Sequence, residues 1–181
     1  MQATIIEKNA LQVGQTVPDF STQALMPDGN FKDVKLSDFR GRWVVLFFYP
    51  LDFTFVCPTE IMSFNKYYSD FRKLGAEVMA VSTDSVHSHK AWVENGLGKV
   101  QFPMLGDTSH RVSRTFNVLL EDKGIALRGT FIVDPGGVLR SAVVNDLPVG
   151  RSVEETVRTL QALQTGKLTA CGWKPGEKTL N

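Results

Sequence analysis

Apolar and polar positions along the chain follow two periods, one typical of strands and one typical of helices. Residues 43–49 are apolar throughout, as expected of a central strand covered on both faces, and residues 77–82 form a second strand-like run. Between them, five large side chains recur at helical spacing before Gly75, which suits the end of a helix. These side chains are Ile61, Phe64, Tyr68, Phe71 and Leu74. The alternation of strand and helix patterns predicts an α/β domain.

The remaining predicted elements lie between turn signals. They are strands over residues 20–25, 31–36, 129–133 and 138–144, and helices over residues 86–94 and 109–116. The turn sequences Pro27-Asp-Gly-Asn30 and Asp134-Pro-Gly-Gly137 predict that these strands pair as two antiparallel hairpins. A last helix is expected to begin at Ser152, whose spacing to Glu155 fits a capping box, and to run to about Gln164.

Length and charge set the broad class of the protein. The chain has 181 residues, enough for one well-buried core, and we place a single domain over residues 1–165 and a C-terminal tail over residues 166–181. The net charge of +1, from 20 basic and 19 acidic residues, indicates neither a nucleic-acid nor a membrane partner. The longest apolar run, residues 43–51, is too short to cross a bilayer, and residues 1–10 lack the pattern of a secretory signal. We therefore expect a cytoplasmic protein.

The chain has only two cysteines, Cys57 and Cys171, which lie 114 positions apart. This usage argues against a disulfide-stapled secreted scaffold and against a zinc site of the Cys-x-x-Cys type. The histidines form no metal-binding pattern either, because His87 and His89 point to different faces of a helix and His110 has no clear partner. We expect the histidines to be surface residues, and we expect the protein to use no metal or other cofactor.

Cys57 lies where a reactive thiolate could form. It ends the pattern Pro50-x-x-x-Thr54-x-x-Cys57, directly after the apolar run, and Pro58 suits the first position of a helix. Unpaired backbone N–H groups and the positive end of the helix dipole favour S⁻ over S–H at that place. The alternative is a small buried hydrophobic residue, as most free intracellular cysteines are. The polar Thr54 and Glu60 and the rigid Pro58 are poor neighbours for such an inert cysteine.

The residues around Cys57 also resemble a known family. The stretch Phe48-Tyr-Pro-Leu-Asp-Phe-Thr-Phe-Val-Cys-Pro-Thr-Glu60 is closely similar to the peroxidatic loop of the typical two-cysteine peroxiredoxins, of the alkyl hydroperoxide reductase C type. The resemblance extends from Val13-Gly-Gln-Thr-Val-Pro-Asp-Phe20 through Asp134 to the C-terminal tail. It implies a thioredoxin-like fold with added N-terminal strands and a tail that carries a resolving cysteine. Periodicity alone leaves several α/β topologies open.

Reduction of a peroxide by a thiolate requires hydrogen-bond donors that face both the sulfur and the departing oxygen, because negative charge moves between them. The Thr54 hydroxyl and the backbone N–H of Cys57 can donate, and Pro50 would shield the thiolate from water. An arginine is a natural permanent donor, but spacing alone leaves the choice among the arginines open. The resemblance implies Arg128, at the start of a predicted strand.

Glu60 and Arg151 are expected to surround this donor set. A carboxylate near a thiolate disfavours the charge on the sulfur unless a cation compensates it. The resemblance implies that Glu60 pairs with both Arg128 and Arg151. The alternatives are a favourable helix-start carboxylate for Glu60 and a surface cation for Arg151.

Cys171 follows the last helix in the polar segment Thr169-Ala-Cys-Gly-Trp-Lys-Pro-Gly-Glu177, where we expect a mobile, exposed thiol and an exposed Trp173. A nearby thiol can condense with a cysteine sulfenic acid to give a disulfide. The resemblance implies this resolving role, with Cys171 supplied by the partner subunit of a homodimer that often assembles as a ring of five dimers. Gly172 stands where the family usually has proline, which would loosen the tail. The alternative is an incidental surface cysteine.

The leading interpretation is a thiol peroxidase that reduces hydrogen peroxide and small organic hydroperoxides through Cys57 and Cys171. Thioredoxin and a flavoprotein disulfide reductase are both compatible as electron donors. A thioredoxin-type oxidoreductase is disfavoured because Glu60 stands where its second cysteine would be. A third interpretation is a ring-shaped holdase or scaffold, which would survive the loss of Cys57. The chain ends at Asn181 without the Tyr-Phe-bearing helix of peroxide-sensitive members, so we expect resistance to overoxidation.

Overall fold

The computed structural model describes residues 10–181. Its strands are β1 (Ser21–Leu25), β2 (Phe31–Lys35), β3 (Trp43–Phe48), β4 (Ala76–Ser82), β5 (Met104–Gly106), β6 (Leu119–Leu120), β7 (Ile125–Ala126), β8 (Arg128–Val133) and β9 (Leu139–Asn145). Its α-helices are α1 (Cys57–Lys73), α2 (Val86–Trp92), α3 (Arg111–Thr115) and α4 (Val153–Gln164). The prediction about a secretory signal lies outside the described residues, apart from Ala10. Within the described stretch, no helix is long and apolar enough to cross a membrane.

Seven strands form one sheet in the order β2-β1-β5-β4-β3-β8-β9. The strand β3 lies inside the sheet, parallel to β4 and antiparallel to β8, and it is buried from Val44 onward, as its apolar sequence predicts. Both predicted hairpins are confirmed, because β1 pairs with β2 and β8 pairs with β9 in antiparallel register. The connection from β3 to its parallel neighbour β4 runs through α1, so the helix begins close to the carboxyl end of β3.

The two long helices match the sequence patterns. The buried residues of α1 are Cys57, Glu60, Ile61, Phe64 and Phe71. This helix ends before Gly75, whose φ of 66° lies in the left-handed region that suits a helix stop. At the start of α4, the Ser152 side chain accepts a hydrogen bond from the backbone N–H of Glu155 at 3.2 Å, which confirms Ser152 as the N-cap. The Glu155 carboxylate binds Arg158 instead of returning to Ser152, so half of the predicted capping box is formed.

The shorter elements differ from the prediction. The strand β5 has three residues, which is too short to give a periodic signal, although it pairs with both β4 and β1. The helix predicted over residues 86–94 passes at its end into a wider turn, Val93–Leu97, because Asn95 and Gly96 leave the helical conformation. The helix α3 is also shorter than its predicted range, residues 109–116.

The core lies on both faces of the sheet. Successive residues of a strand point to opposite faces, so Val45 and Phe47 of β3 pack in a cluster with α1 and α4, whereas Val44 and Leu46 pack in a second cluster with α3. The rings of Phe47 and Phe64 are stacked, with centroids 3.9 Å apart. This contact joins β3 to α1 near the candidate site.

The tail after α4 is packed more closely than predicted. Trp173 is only 5% exposed, so the expectation of an exposed tryptophan is wrong. The backbone carbonyl of Trp173 accepts a hydrogen bond from Arg158 of α4 at 2.8 Å, and its indole N–H donates to the carbonyl of Glu177 at 3.1 Å. Cys171 is exposed, as predicted. The division between the domain, residues 1–165, and the tail stays a prediction.

The stacked pair gives a test of this packing. Phe64→Ala should lower the free energy of unfolding by about 3–5 kcal/mol, because it removes a fully buried ring and leaves a cavity beside Phe47. The change is measured by urea denaturation. The control is Leu180→Ala, at a side chain that is 69% exposed; it should change the stability by less than about 0.5 kcal/mol. Equal losses in the two variants would contradict the packing.

Candidate active site

Cys57 is the first residue of α1 and has no solvent exposure. The loop between β3 and Cys57 includes Phe53, whose φ of 56° is a left-handed conformation that is uncommon for a bulky residue. Pro58 is the second helical residue, one position later than predicted. The loop therefore delivers the thiol to a helix N-terminus, where the helix dipole is positive. The backbone N–H groups of Thr59 and Glu60 are bonded to the carbonyl of Val56, at 3.1 and 3.3 Å.

Arg128, the first residue of β8, reaches the sulfur. Its Nη1 donates to Cys57 Sγ at 3.4 Å and to Glu60 Oε2 at 2.7 Å. Its Nε donates to the carbonyl of Leu147 at 2.6 Å. The Arg128 side chain is 5% exposed, so water screens its charge little. The carboxylate and the carbonyl hold the guanidinium with one nitrogen against the sulfur.

Glu60 joins a second arginine to the site. Its Oε1 accepts from Nε of Arg151 at 2.8 Å and from the backbone N–H of Arg151 at 3.1 Å, and its Oε2 accepts from Nη2 at 2.8 Å. The side chains of Glu60 and Arg151 are each 3% exposed, so Arg151 is not a surface cation. The structure thus contains the pairing of Glu60 with both arginines that the resemblance implies.

Arg151 also connects the site to the sheet. Its Nη1 donates to the carbonyl of Gly129 at 2.8 Å, and its guanidinium carbon lies 5.3 Å from the centroid of the Phe47 ring. Two permanent cations and one carboxylate are therefore buried together beside Cys57. The group of two arginines and one glutamate carries a net positive charge, and Arg128 is the member that contacts the Cys57 sulfur.

Pro50 and Thr54 lie in the loop before Cys57. Pro50 is buried, as expected of a residue that shields the thiol. Thr54 is half-buried, and its hydroxyl donates to the carbonyl of Leu51 at 2.9 Å, a contact within the loop. Contact of the Thr54 hydroxyl with the sulfur or a peroxide stays a prediction.

A buried polar cluster that the sequence analysis missed holds the same loop. Asp52 accepts from the Tyr49 hydroxyl at 2.7 Å and contacts His89 Nδ1 at 2.8 Å, while the other ring nitrogen of His89 lies 3.2 Å from the carbonyl of Leu105. Burial and the Asp52 carboxylate raise the pKa of Tyr49 well above its ordinary value, so Tyr49 remains a donor. His89 is fully buried, and the expectation that it lies on the surface is wrong, whereas His87 is exposed.

The sequence feature that could have predicted this buried cluster is the position of Asp52. Asp52 is the one charged residue among the apolar residues between Pro50 and Cys57. A charged side chain in such a loop needs a partner when it is buried.

Within residues 10–181 there is no group of three or more His, Cys, Asp and Glu side chains that could hold a metal ion.

Cys171 lies far from Cys57 within one chain. It lines a cleft with Trp43, the first residue of β3, whereas Cys57 follows the opposite end of that strand. The six residues of β3 span roughly 20 Å at about 3.3 Å per residue. The structure therefore brings Glu60, Arg128 and Arg151 to Cys57, and it does not bring Cys171 to the Cys57 of the same chain.

Comparison with known proteins identifies the family. The AhpC/TSA family matches residues 13–142. Peroxiredoxin-2 of Mus musculus is 53% identical over 178 residues, which cover 93% of this chain and 89% of that protein. Peroxiredoxin-1 of Gallus gallus is 49% identical over 177 residues, with coverage of 93% and 89%.

Solved structures agree with this assignment. The reduced 2-Cys peroxiredoxin of Plasmodium vivax has a TM-score of 0.90 at 35% identity and covers 92% of this chain and 91% of its own. AhpC of Enterococcus faecalis has a TM-score of 0.85 at 40% identity, with coverage of 89% and 99%. These neighbours confirm the expected thioredoxin-like α/β fold. The chain belongs to the AhpC/TSA family and is a peroxiredoxin, an enzyme with thiol peroxidase function.

Proposed function

We propose that this peroxiredoxin reduces hydrogen peroxide and small organic hydroperoxides with Cys57 as the attacking thiol and Cys171 as the resolving thiol. The observation that carries the proposal is the contact of Arg128 Nη1 with Cys57 Sγ at 3.4 Å, inside a buried group of two arginines and one glutamate. A permanent cation that touches the sulfur stabilises the thiolate before the reaction.

In the first step, the Cys57 thiolate attacks one peroxide oxygen. The S–O bond forms, the O–O bond breaks, and the second oxygen leaves as hydroxide or alkoxide, which takes a proton to become water or an alcohol. Cys57 is oxidised to the sulfenic acid. Arg128 can stabilise the negative charge first on the sulfur and then on the departing oxygen, because its guanidinium carries five N–H donors. The backbone N–H of Cys57 completes the donor set, and Pro50 keeps water away. The Thr54 hydroxyl joins this set by turning from the carbonyl of Leu51, to which it donates at 2.9 Å.

In the second step, the sulfenic acid of Cys57 reacts with Cys171 of a partner subunit. The separation across β3 supports an intersubunit disulfide, because bonded sulfurs lie about 2 Å apart. The edge strand β9 supports a homodimer, since the side chains of Val143 and Val144 are 52% and 45% exposed there. An exposed strand edge with apolar side chains is a ready template for pairing with a second copy.

The remaining partners follow from the position of Cys171. Its exposure supports reduction of the disulfide by a dithiol protein, which we expect to be thioredoxin or a flavoprotein disulfide reductase. We propose a pentamer of dimers as the assembly and the cytoplasm as the location of the protein.

Arg128→Met should slow the oxidation of Cys57 by about a hundredfold or more, because the variant removes the donor at the sulfur and the departing oxygen. Stopped-flow single-turnover measurements with hydrogen peroxide give this rate. The matched control is Arg114→Met, which removes a surface arginine bound to Glu121 at 2.7 Å and should leave the rate unchanged. A near-normal rate in folded Arg128→Met protein would exclude the assigned role.

A mixing experiment tests the origin of the resolving thiol. Cys57→Ser and Cys171→Ser chains are mixed, allowed to exchange subunits, treated with one equivalent of hydrogen peroxide and separated on a non-reducing denaturing gel. We expect a disulfide-linked dimer that contains one chain of each kind, and neither variant alone should form it. A disulfide that forms only in the unchanged chain and leaves it a monomer on the gel would show that the bond is within one subunit.

A further inference from the structure

The connection between β9 and α4 is a largely exposed loop that holds part of the active site. It follows Asn145, the last residue of β9, and leads to Arg151. Leu147 lies within this loop, and its carbonyl accepts the hydrogen bond from Arg128 Nε at 2.6 Å. At the end of the loop, the backbone N–H of Arg151 donates to Glu60 Oε1 at 3.1 Å. Both arginines of the site therefore depend on the course of this loop.

The Leu147 carbonyl determines which way the Arg128 guanidinium faces. A planar guanidinium that is held at one nitrogen can swing about that contact, whereas contacts at two nitrogens fix its plane. Glu60 binds Nη1 and the Leu147 carbonyl binds Nε, and Nη1 is the nitrogen that reaches the sulfur of Cys57. If the carbonyl moved away, Arg128 would keep its ion pair, but the angle at which it meets the sulfur would no longer be fixed.

The side chain of Asn145 closes the loop. Its Nδ2 donates to the carbonyl of Gly150 at 3.3 Å and to the carbonyl of Val149 at 3.5 Å. Inside this span, the backbone N–H of Val149 donates to the carbonyl of Asp146 at 3.1 Å, which forms a turn around Leu147. One side chain at the start of the loop thus ties down its end, and Leu147 lies between the two tied points.

Asn145 is also aligned with Arg128 in the sheet. The two residues are cross-strand partners at the end of the ladder between β8 and β9, so the start of the loop is fixed relative to the arginine. Within residues 10–181, no hydrogen bond or ion pair joins the Asn145 side chain to Arg128 or to Cys57. An effect of this amide on the sulfur must therefore pass through the loop.

We propose that Asn145 is a positioning residue of the peroxidase reaction, which holds the Leu147 carbonyl where it aligns Arg128 with the sulfur. The proposal rests on the function proposed above, in which Arg128 donates to the sulfur of Cys57 and to the departing oxygen. Asn145 takes no part in the chemical step itself. Without its amide, the loop adopts further conformations, the guanidinium is aligned in only a fraction of the molecules, and the attack on the peroxide slows.

Asn145→Ala should slow the oxidation of Cys57 by hydrogen peroxide about tenfold, because a displacement of about 1 Å at a catalytic group can cost up to about a hundredfold. Stopped-flow single-turnover measurements give the second-order rate constant, and circular dichroism and size-exclusion chromatography confirm that the full chain is folded and assembled. The control is Asn95→Ala, which removes a comparable bond from an exposed amide to a backbone carbonyl, that of Ala91 at 2.8 Å. This control should leave the rate unchanged.

A double-mutant cycle with Arg128→Met separates positioning from a general loss of stability. If Asn145 acts through Arg128, Asn145→Ala should change the slow rate of the Arg128→Met chain by less than about twofold. An equal loss in both backgrounds, or a normal rate in folded Asn145→Ala protein, would overturn the positioning role and leave the proposed function intact. A near-normal rate in Arg128→Met itself would overturn the proposed function, and the positioning role with it.

Discussion

The buried Glu60 carboxylate is the constraint on which the rest of the site depends. It binds Arg128 and Arg151 at 2.7–2.8 Å in a place where all three side chains are at most 5% exposed. Two guanidinium groups cannot share a dry site without a counter-charge, and unpaired buried ions are strongly destabilising. Glu60 therefore allows one arginine to be held against a sulfur instead of turning to solvent.

The same interaction ties the catalytic geometry to the fold. Glu60 lies in the first turn of α1, Arg128 begins β8, and Arg151 precedes α4, so one carboxylate fixes three elements that are distant in sequence. Arg151 also faces the ring of Phe47, which stacks on α1. The site is thus continuous with the core. The loop between β3 and Cys57 is also held by the contacts of Asp52 with Tyr49 and His89.

The sequence predicted the fold well where periodicity was strong. Long apolar runs indicated the central strands, turn signals indicated the two hairpins, and apolar residues at helical spacing indicated α1, because burial on one or both faces imposes a regular pattern. Three-residue β5 carries no such pattern. The position of Cys57 at a helix start followed from its local sequence. The choice of Arg128 required the resemblance, since a helix residue and a strand residue that are distant in sequence meet at no fixed spacing.

The wrong predictions also have physical causes. A spacing of two places His87 and His89 on different faces of α2, but it does not tell which face is buried, and the partner of His89 comes from a distant loop. Trp173 was expected to be exposed because its neighbours are polar, yet a single large ring can dock where polar flanking residues remain in solvent.

The most direct test of the central claim is the single-turnover rate of Cys57 oxidation in Glu60→Gln. This variant keeps the shape of the side chain and removes the charge that holds both arginines. We predict that the oxidation rate decreases by a factor of about ten to a hundred, because small displacements of a catalytic group cost this much. We also predict that the free energy of unfolding decreases by about 3–5 kcal/mol. A normal oxidation rate in folded Glu60→Gln protein would contradict the dependence of the reactive thiol on the buried carboxylate.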